Sequence, residues 1–350
     1  MRDMFDTMIF KKIKPIVFLL SFYMLFGCKQ PPSFSEVKVY ERSILLNNEP
    51  YLIKGICYHP VPKGSPNVRS WETLTQDLQL MAAAGINTIR LYEPVDDRAI
   101  LDEINQAGIK VIIGFGYNQD GVFDIASGSY VDYVVKYKNH NAILMWEFGN
   151  EYNYHPQWFD GDIKNWYRAM NTAAGIIKEK DPAHPTTTAH GDLPDALALS
   201  MGSNIDVWGM NVYRWDKPAS IFKEWKVVSS KPMYLSETGG DSYMKAANEG
   251  YEQGENQKAQ ADATKNILDE VFDSQDICSG VAVFSFTDGW WKAGNNDVQD
   301  IGGNAPNSSG VPYDGDPNEE FWGIVDIDRN KKDVYFVIKE HYLNTSRIKK

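Results

Sequence analysis

The chain has 350 residues, of which 43% are hydrophobic and 23% are charged, and its formal net charge is −12. This balance excludes a disordered or fibrous chain, and the negative charge without a basic stripe argues against nucleic acid as a partner. Aromatic residues make up 13% of the chain, which fits either a large aromatic core or a surface that stacks on sugars.

The N-terminal segment has the features of an export signal. Lys11, Lys12 and Lys14 precede an apolar run of roughly a dozen residues, which is too short to span a membrane. The sequence Leu-Phe-Gly-Cys that ends at Cys28 resembles a bacterial lipoprotein box. We therefore predict a lipoprotein signal peptide over residues 1–27 and lipidation of Cys28. The mature protein would be anchored to a membrane of the bacterial cell envelope, in the periplasm or on the cell surface; ordinary secretion is the alternative.

Residues 28–36 read as a short exposed tether, and residues 37–350 as one folded domain. The start of this domain alternates apolar and polar residues, and Asn47-Asn48 is a turn signal. This pattern predicts an N-terminal β-hairpin that leads into a first buried strand at residues 52–57.

Apolar strands then alternate with amphipathic helices. The strands are predicted at residues 52–57, 86–94, 110–117, 143–151, 185–191, 206–213, 232–240 and 280–291. The helices are predicted at residues 70–84, 98–107, 129–138, 161–179, 218–227, 257–274 and 332–343. Strands that are apolar throughout are typical of strands buried on both faces. We therefore predict an α/β fold, a closed (β/α)8 TIM barrel. A doubly wound open sheet is the alternative, although no dinucleotide glycine motif follows the first strand.

Function in such barrels lies at the C-terminal ends of the strands. Almost all residues that close the predicted strands are polar or aromatic, and this indicates an active site at that end. They are Tyr58, His59, Arg90, Tyr92, Tyr117, Asn150, Glu151, His190, Asn211, Tyr213, Glu237, Trp290 and Trp291.

Two of these strand ends carry glutamates. Glu151 ends the fourth strand and Glu237 the seventh, and these strands face each other across the mouth of an eight-stranded barrel. Two carboxylates about 5–5.5 Å apart suit a retaining glycosidase, in which one attacks the sugar and the other protonates the leaving group. The charge of the first raises the pKa of the second and keeps it protonated. Structural ion pairing is the alternative for both, and it is the role predicted for Glu147 on the same strand as Glu151.

The motifs "WEFGNE" and "YLSETG" resemble the catalytic strands of the clan A retaining glycoside hydrolases, and the barrel domains of families 2 and 5 are the most similar. This resemblance implies that Glu151 is the general acid/base and that Glu237 is the nucleophile. It also implies that Asn150 binds the 2-hydroxyl of the sugar and that Arg90 steadies the nucleophile.

The resemblance extends to further candidate substrate-binding residues. Tyr213 matches a residue near the nucleophile, and Trp290 or Trp291 matches the tryptophan that forms the floor of the first subsite. The strand-end positions add His59, His190 and Asn211, and the two histidines could equally be core hydrogen-bonding residues.

The stretch "NTIRLYEP…ILDEINQAGIKVIIGF" is similar to the β-1,3-glucan families 17 and 72 of the same clan. We therefore predict a retaining β-glycosidase that hydrolyses a β-linked oligosaccharide or polysaccharide, with β-1,3-glucan as one candidate and β-mannans and β-galactosides as others. A β-glucanosyltransferase with the same intermediate and a non-catalytic glycan-binding lipoprotein are the alternatives. No cofactor and no metal site is predicted, because the histidines are scattered and the loop 293–320 lacks the spacing of a calcium loop. That loop is predicted to be a wall of the substrate cleft.

Overall fold

The computed structural model describes residues 35–118, 123–214, 216–303 and 313–345. The predicted signal peptide and Cys28 lie outside the described residues, as does almost all of the tether. In the ranges that are described, no helix is both long enough and apolar enough to cross a membrane.

The domain begins with a three-stranded antiparallel sheet. Its strands are β1 (Val37–Tyr40), β2 (Ser43–Leu46) and β3 (Glu49–Tyr51). Asn47 and Asn48 form the turn between β2 and β3 with φ angles of 53° and 67°, and two positive φ angles are what a type I′ hairpin turn requires. The predicted hairpin is present, with one additional strand before it.

This sheet packs against one end of the barrel. Val37 and Ile44 belong to a buried cluster with residues from the barrel strands, among them Ile53, Leu144 and Tyr234. Ile53 and Leu144 lie near the N-terminal ends of their strands. The sheet therefore covers the end of the barrel opposite the predicted site.

Eight parallel strands form a closed barrel, which confirms the predicted (β/α)8 fold. They are β4 (Ile53–Cys57), β5 (Thr88–Leu91), β6 (Lys110–Phe115), β7 (Ile143–Asn150), β8 (Thr186–Gly191), β9 (Val207–Asn211), β10 (Met233–Thr238) and β13 (Cys278–Val283). Strands β4 to β10 pair in chain order, and β13 closes the barrel between β10 and β4. A small antiparallel ribbon, β11 (Tyr243–Met244) and β12 (Gly254–Glu255), lies between β10 and β13 in the chain.

The helices are α1 (Leu74–Ala83), α2 (Arg98–Gln106), α3 (Tyr130–Tyr137), α4 (Ile163–Lys180), α5 (Ala196–Met201), α6 (Ala219–Val228), α7 (Gln257–Asp273) and α8 (Asp333–Asn344). Seven of them match the predicted helices within a few residues. Helix α5 was not predicted, because its six residues are too few to show a helical period. Its start is nevertheless capped by the side chain of Asp195, which accepts a hydrogen bond from the amide of Ala198.

Candidate active site

A cleft of about 480 Å³ opens at the C-terminal ends of the barrel strands. This volume lies within the range of small-molecule sites, about 300–1,000 Å³. Glu151 and Glu237 both line the cleft, together with Asn150, Asn211 and Tyr213. The structure thus brings together residues that end β7, β9 and β10.

Glu237 is held by three hydrogen-bond donors. Its Oε1 accepts from Nη1 of Arg90 at 2.7 Å and from the hydroxyl of Tyr92 at 2.8 Å. Its Oε2 accepts from the hydroxyl of Tyr213 at 3.0 Å. Hydrogen bonds to a charged group are the stronger kind, so this carboxylate has a fixed orientation in the cleft.

Arg90 connects this carboxylate to the rest of the site. It is fully buried, and its Nη2 lies 2.7 Å from Oε1 of Glu147 and 2.8 Å from Oδ1 of Asn150. Glu147 also accepts a hydrogen bond from the hydroxyl of Tyr234. The ion pair predicted for Glu147 is therefore present, and a guanidinium suits this position because its planar fork reaches several acceptors at once.

Asn150 has its side-chain oxygen engaged on two sides. Besides Arg90, the amide group of Asn211 donates to Oδ1 of Asn150 at 3.0 Å. Asn211 is itself oriented by the hydroxyl of Ser236, which donates to its Oδ1 at 2.7 Å. Because both hydrogen bonds fall on the oxygen, the NH₂ group of Asn150 is the part that can donate to a ligand.

Glu151 follows directly after β7 in a left-handed backbone conformation, with φ of 55° and ψ of 23°. Its amide donates to the carbonyl of Ala189 on β8 at 2.8 Å, which ties this turn to the barrel. Gly149 precedes it with φ of 68°, and a Cβ there would lie 2.5 Å from the ring of Trp166. Burial raises the pKa of Glu151 to about 7, and the nearby charge of Glu237 adds to this effect.

The two predicted histidines differ in position. His59 lines the cleft, where its Nε2 lies 2.7 Å from Oδ1 of Asn67 and its ring centroid lies 5.1 Å from that of Trp291. His190 does not line it. Its ring nitrogens face the hydroxyl of Tyr167 on α4 at 3.3 Å and the carbonyl of Asp192 at 3.1 Å. Of the two roles considered for His190, the structure thus shows the second, a buried hydrogen-bonding residue between β8 and α4, and it does not place His190 among the residues that line the cleft.

The two tryptophans after β13 also differ. Trp291 lines the cleft, whereas Trp290 does not, and the Nζ of Lys63 lies 4.4 Å above the ring of Trp290. Of the two candidates, Trp291 is therefore the one that the structure places in the cleft, and the tryptophan floor of the first subsite stays a prediction.

Several cleft residues were not predicted. The segment after β13 contributes Phe284, Lys292, Glu319 and Trp322, and the segment after β7 contributes Tyr154, His155 and Trp158. Glu319 belongs to the loop that was predicted to be a cleft wall. For the second group a signal existed, because "YNYHPQW" is unusually aromatic for a loop. For Trp322 the sequence has no comparable signal, because it lies 39 positions after the end of β13.

Comparison with known proteins agrees with this architecture. Residues 37–283 match the model of the glycosyl hydrolases family 2 TIM barrel domain. A β-glucuronidase of Sus scrofa is 25% identical over 245 residues, covering 64% of this chain and 35% of that protein. A β-galactosidase of Vibrio vulnificus (strain YJ016) is 25% identical over 133 residues, covering 35% of this chain and 13% of that protein.

Solved structures show the same fold. A family 2 β-galacturonidase from Eisenbergiella tayi, bound to galacturonate, has a TM-score of 0.65 at 22% identity and covers 89% of this chain and 54% of its own. A β-glucuronidase from Faecalibacterium prausnitzii has a TM-score of 0.67 at 19% identity, and the match covers 90% of this chain and 52% of that protein.

The chain thus spans about half the length of these solved structures and about a third or less of the curated relatives. The match supports family 2 and does not extend to families 5, 17 and 72, which the sequence motifs also suggested. The chain belongs to glycosyl hydrolase family 2, through its TIM barrel domain.

Proposed function

We propose that this protein is a retaining β-glycosidase in which Glu237 is the nucleophile and Glu151 is the general acid/base. The observation that carries the proposal is the unequal setting of two carboxylates in one cleft. Glu237 accepts three hydrogen bonds, one of them from a guanidinium. Glu151 is partly buried beside that charge, and its pKa is raised to about 7. Carboxyl groups in such different environments can act as nucleophile and acid at the same pH.

The reaction proceeds in two displacements. Glu237 attacks the anomeric carbon and forms a glycosyl ester, while the proton of Glu151 passes to the departing glycosidic oxygen. Esterification removes the negative charge of Glu237, so the pKa of Glu151 falls. Glu151, now a carboxylate, takes a proton from water, and the resulting hydroxide oxygen displaces Glu237 from the anomeric carbon.

The neighbouring side chains support these steps. Arg90, Tyr92 and Tyr213 orient the attacking carboxylate. The NH₂ group of Asn150 is available to the sugar 2-hydroxyl, a contact that strengthens at the transition state. Trp291 offers an aromatic surface to the sugar.

The charges of the cleft favour a neutral sugar over a uronic acid. Among the residues that the structure describes, Lys292 is the only lysine or arginine that lines the cleft. Its Nζ lies 2.8 Å from Oε2 of Glu319, so its charge is already compensated. A sugar carboxylate would therefore be desolvated next to other carboxylates without a free cationic partner, which is costly.

The preference for a neutral sugar sets the order of the candidate substrates. Of the relatives compared above, the β-galactosidase is named for a neutral sugar, so β-galactosides come first and β-glucosides second. A β-1,3-glucan remains a prediction from the sequence, and neither the family match nor these relatives support it.

The proposal is tested with aryl β-galactoside, β-glucoside and β-glucuronide, together with laminarin. We expect hydrolysis of a neutral glycoside, with the β-anomer as the first product seen by NMR. Glu237→Gln should abolish turnover because the ester cannot form. Glu151→Ala should be partly rescued by azide, which replaces the water that needs a base. Product chromatography then separates hydrolysis from transfer to a second sugar.

The matched control is Glu93→Gln. Glu93 also lines the cleft, but its side chain is 52% exposed and pairs with Arg69. This variant should keep wild-type turnover. A Glu237→Gln variant that folds normally and retains turnover would refute the nucleophile assignment, and inversion of configuration would refute the two-step scheme.

A further inference from the structure

Three aromatic side chains form an exposed platform on one wall of the cleft. Tyr154, His155 and Trp158 all line the cleft. Tyr154 and Trp158 lie in two short 3-10 turns that follow Glu151, and His155 lies between these turns. Trp158 is 53% exposed and Tyr154 is 41% exposed. A large exposed indole at the rim of a cleft is a typical mark of a contact surface.

The platform is supported from below. Tyr152 is buried, and its ring contacts Trp158 edge-on at 5.5 Å and Trp166 of α4 at 4.8 Å. His155 stacks on Trp158, with ring centroids 4.0 Å apart and an interplanar angle of 14°. Trp158 therefore keeps its ring in place without a ligand, which lowers the entropic cost of binding one.

A second anchor joins the platform to β8. The side chain of Asn153 donates to the carbonyl of Gly191 at 3.1 Å and accepts from its amide at 2.8 Å. Tyr154 lies directly over Gly191, where a Cβ would be 2.2 Å from the tyrosine ring. The absence of a side chain at Gly191 thus allows Tyr154 to reach the cleft wall.

The position of the platform defines which part of a substrate it meets. Under the proposed function, on which this inference rests, Glu151 delivers a proton to the glycosidic oxygen, so the leaving group lies on the Glu151 side of the cleft. The platform follows Glu151 within three to seven positions and lines the same cleft. It therefore flanks the leaving group rather than the sugar attacked by Glu237.

We propose that Tyr154, His155 and Trp158 form a subsite for a second, β-linked neutral sugar, the one that leaves. Hexopyranoses present apolar faces to aromatic rings and hydroxyl groups to polar edges, and this wall combines the Trp158 ring with the tyrosine hydroxyl and the imidazole. The preferred substrate is accordingly an oligosaccharide rather than a glycoside with a small aglycone.

The test compares substrates with and without a leaving sugar. Laminaribiose, cellobiose and β-1,4-galactobiose carry one, whereas β-glucosyl and β-galactosyl fluoride do not. In Trp158→Ala we expect kcat/KM to fall about tenfold for the disaccharide that the wild type cleaves, the order of one lost ring–sugar stacking contact. For the matching fluoride it should change less than twofold. The kcat/KM of Trp158→Phe on the disaccharide should lie between those of the wild type and Trp158→Ala.

The matched control is Phe336→Ala, since Phe336 lies on α8, is 55% exposed and does not line the cleft. It should leave both substrates unaffected. In Trp158→Ala, an equal loss of kcat/KM on disaccharide and fluoride, a loss on aryl glycosides alone, or no loss at all would overturn the proposed subsite. Wild-type hydrolysis of the fluorides without any disaccharide cleavage would overturn it as well. Inactivity on every substrate would instead overturn the proposed function, and the subsite with it.

Discussion

At the scale of single residues, the site depends on how differently two carboxyl groups are solvated. Glu237 has three donors for its two oxygens, whereas Glu151 is partly buried beside that negative charge. Burial penalises a lone carboxylate, and a like charge penalises it further. The raised pKa of Glu151 follows from these two causes and leads to two measurable consequences.

The first concerns the pH dependence of turnover. Glu151 must be protonated to assist the leaving group, so kcat/KM for a β-linked disaccharide should decline above about pH 7, the pKa of Glu151. The same profile measured with a glycosyl fluoride should lack this alkaline decline, because fluoride leaves without a proton. A disaccharide profile that stays flat to pH 9 would contradict the assignment of Glu151 as the acid.

The second concerns stability. The pKa of Glu151 is about 7 in the folded state, above its ordinary value of 4.5. The contribution of Glu151 to the free energy of unfolding is therefore fully present below about pH 4.5 and is lost as the pH rises through 7. Glu151→Gln cannot ionise, so it should be more stable than the wild type at pH 8, by roughly 2 kcal/mol, with a much smaller difference at pH 4.5. Urea unfolding at both pH values measures this.

The control for this measurement is Glu72→Gln at an exposed position, which should leave the free energy of unfolding unchanged at both pH values. A wild type as stable as Glu151→Gln at pH 8 would show that ionisation of the partly buried Glu151 carboxyl group costs no folding free energy.

At the scale of elements, closure of the barrel depends on a glycine in β13. Gly280 has φ of 124°, and a Cβ at this position would lie 2.1 Å from the carbonyl oxygen of Ile53 on β4. Gly280→Ala should therefore destabilise the protein by more than about 3 kcal/mol, because the alanine adds both backbone strain and a clash with a neighbouring strand. Thermal or urea unfolding measures the loss.

Gly108 provides a control that separates these two causes. It follows α2 with φ of 76°, and a Cβ there would meet no atom within 4 Å. Gly108→Ala should cost only about 1 kcal/mol, the price of a left-handed conformation alone. Equal losses in the two variants would show that close packing between β13 and β4 is not what requires glycine at position 280.

At the scale of the whole molecule, the barrel was predictable from sequence, whereas much of the cleft wall was not. Most of the eight strands are apolar runs because both of their faces are buried, and this pattern is local in the chain. His190 illustrates the limit of such local reasoning. It closes β8 as Glu237 closes β10, but successive side chains of a strand point to opposite faces. The face that His190 occupies is decided by α4, which supplies its hydrogen-bonding partner Tyr167.

Trp322 illustrates the second limit. Its place in the cleft depends on contacts between residues far apart in the chain. Its ring packs edge-on against Tyr213 and Phe284, each at 5.5 Å between centroids. The flanking backbone is held by Asp288, which accepts from the amide of Gly323 at 2.8 Å. Such contacts leave no periodic pattern in the sequence.

The ion pair of Asp288 and Lys332 joins the start of the long segment after β13 to its end, where α8 begins. Both side chains are 2% exposed and lie 2.6 Å apart. Lys332→Met should destabilise the protein by about 3–5 kcal/mol, because it leaves Asp288 buried without its cation. The double variant Lys332→Met/Asp288→Asn should recover part of that loss, since no charge then remains unpaired.

Lys265→Met removes an exposed ion pair with Asp269 and should cost less than about 1 kcal/mol. Urea unfolding of the wild type, Lys332→Met, Asp288→Asn and the double variant gives the coupling energy of the pair, and an equal loss from Lys332→Met and Lys265→Met would show that the buried pair does not hold this segment in place.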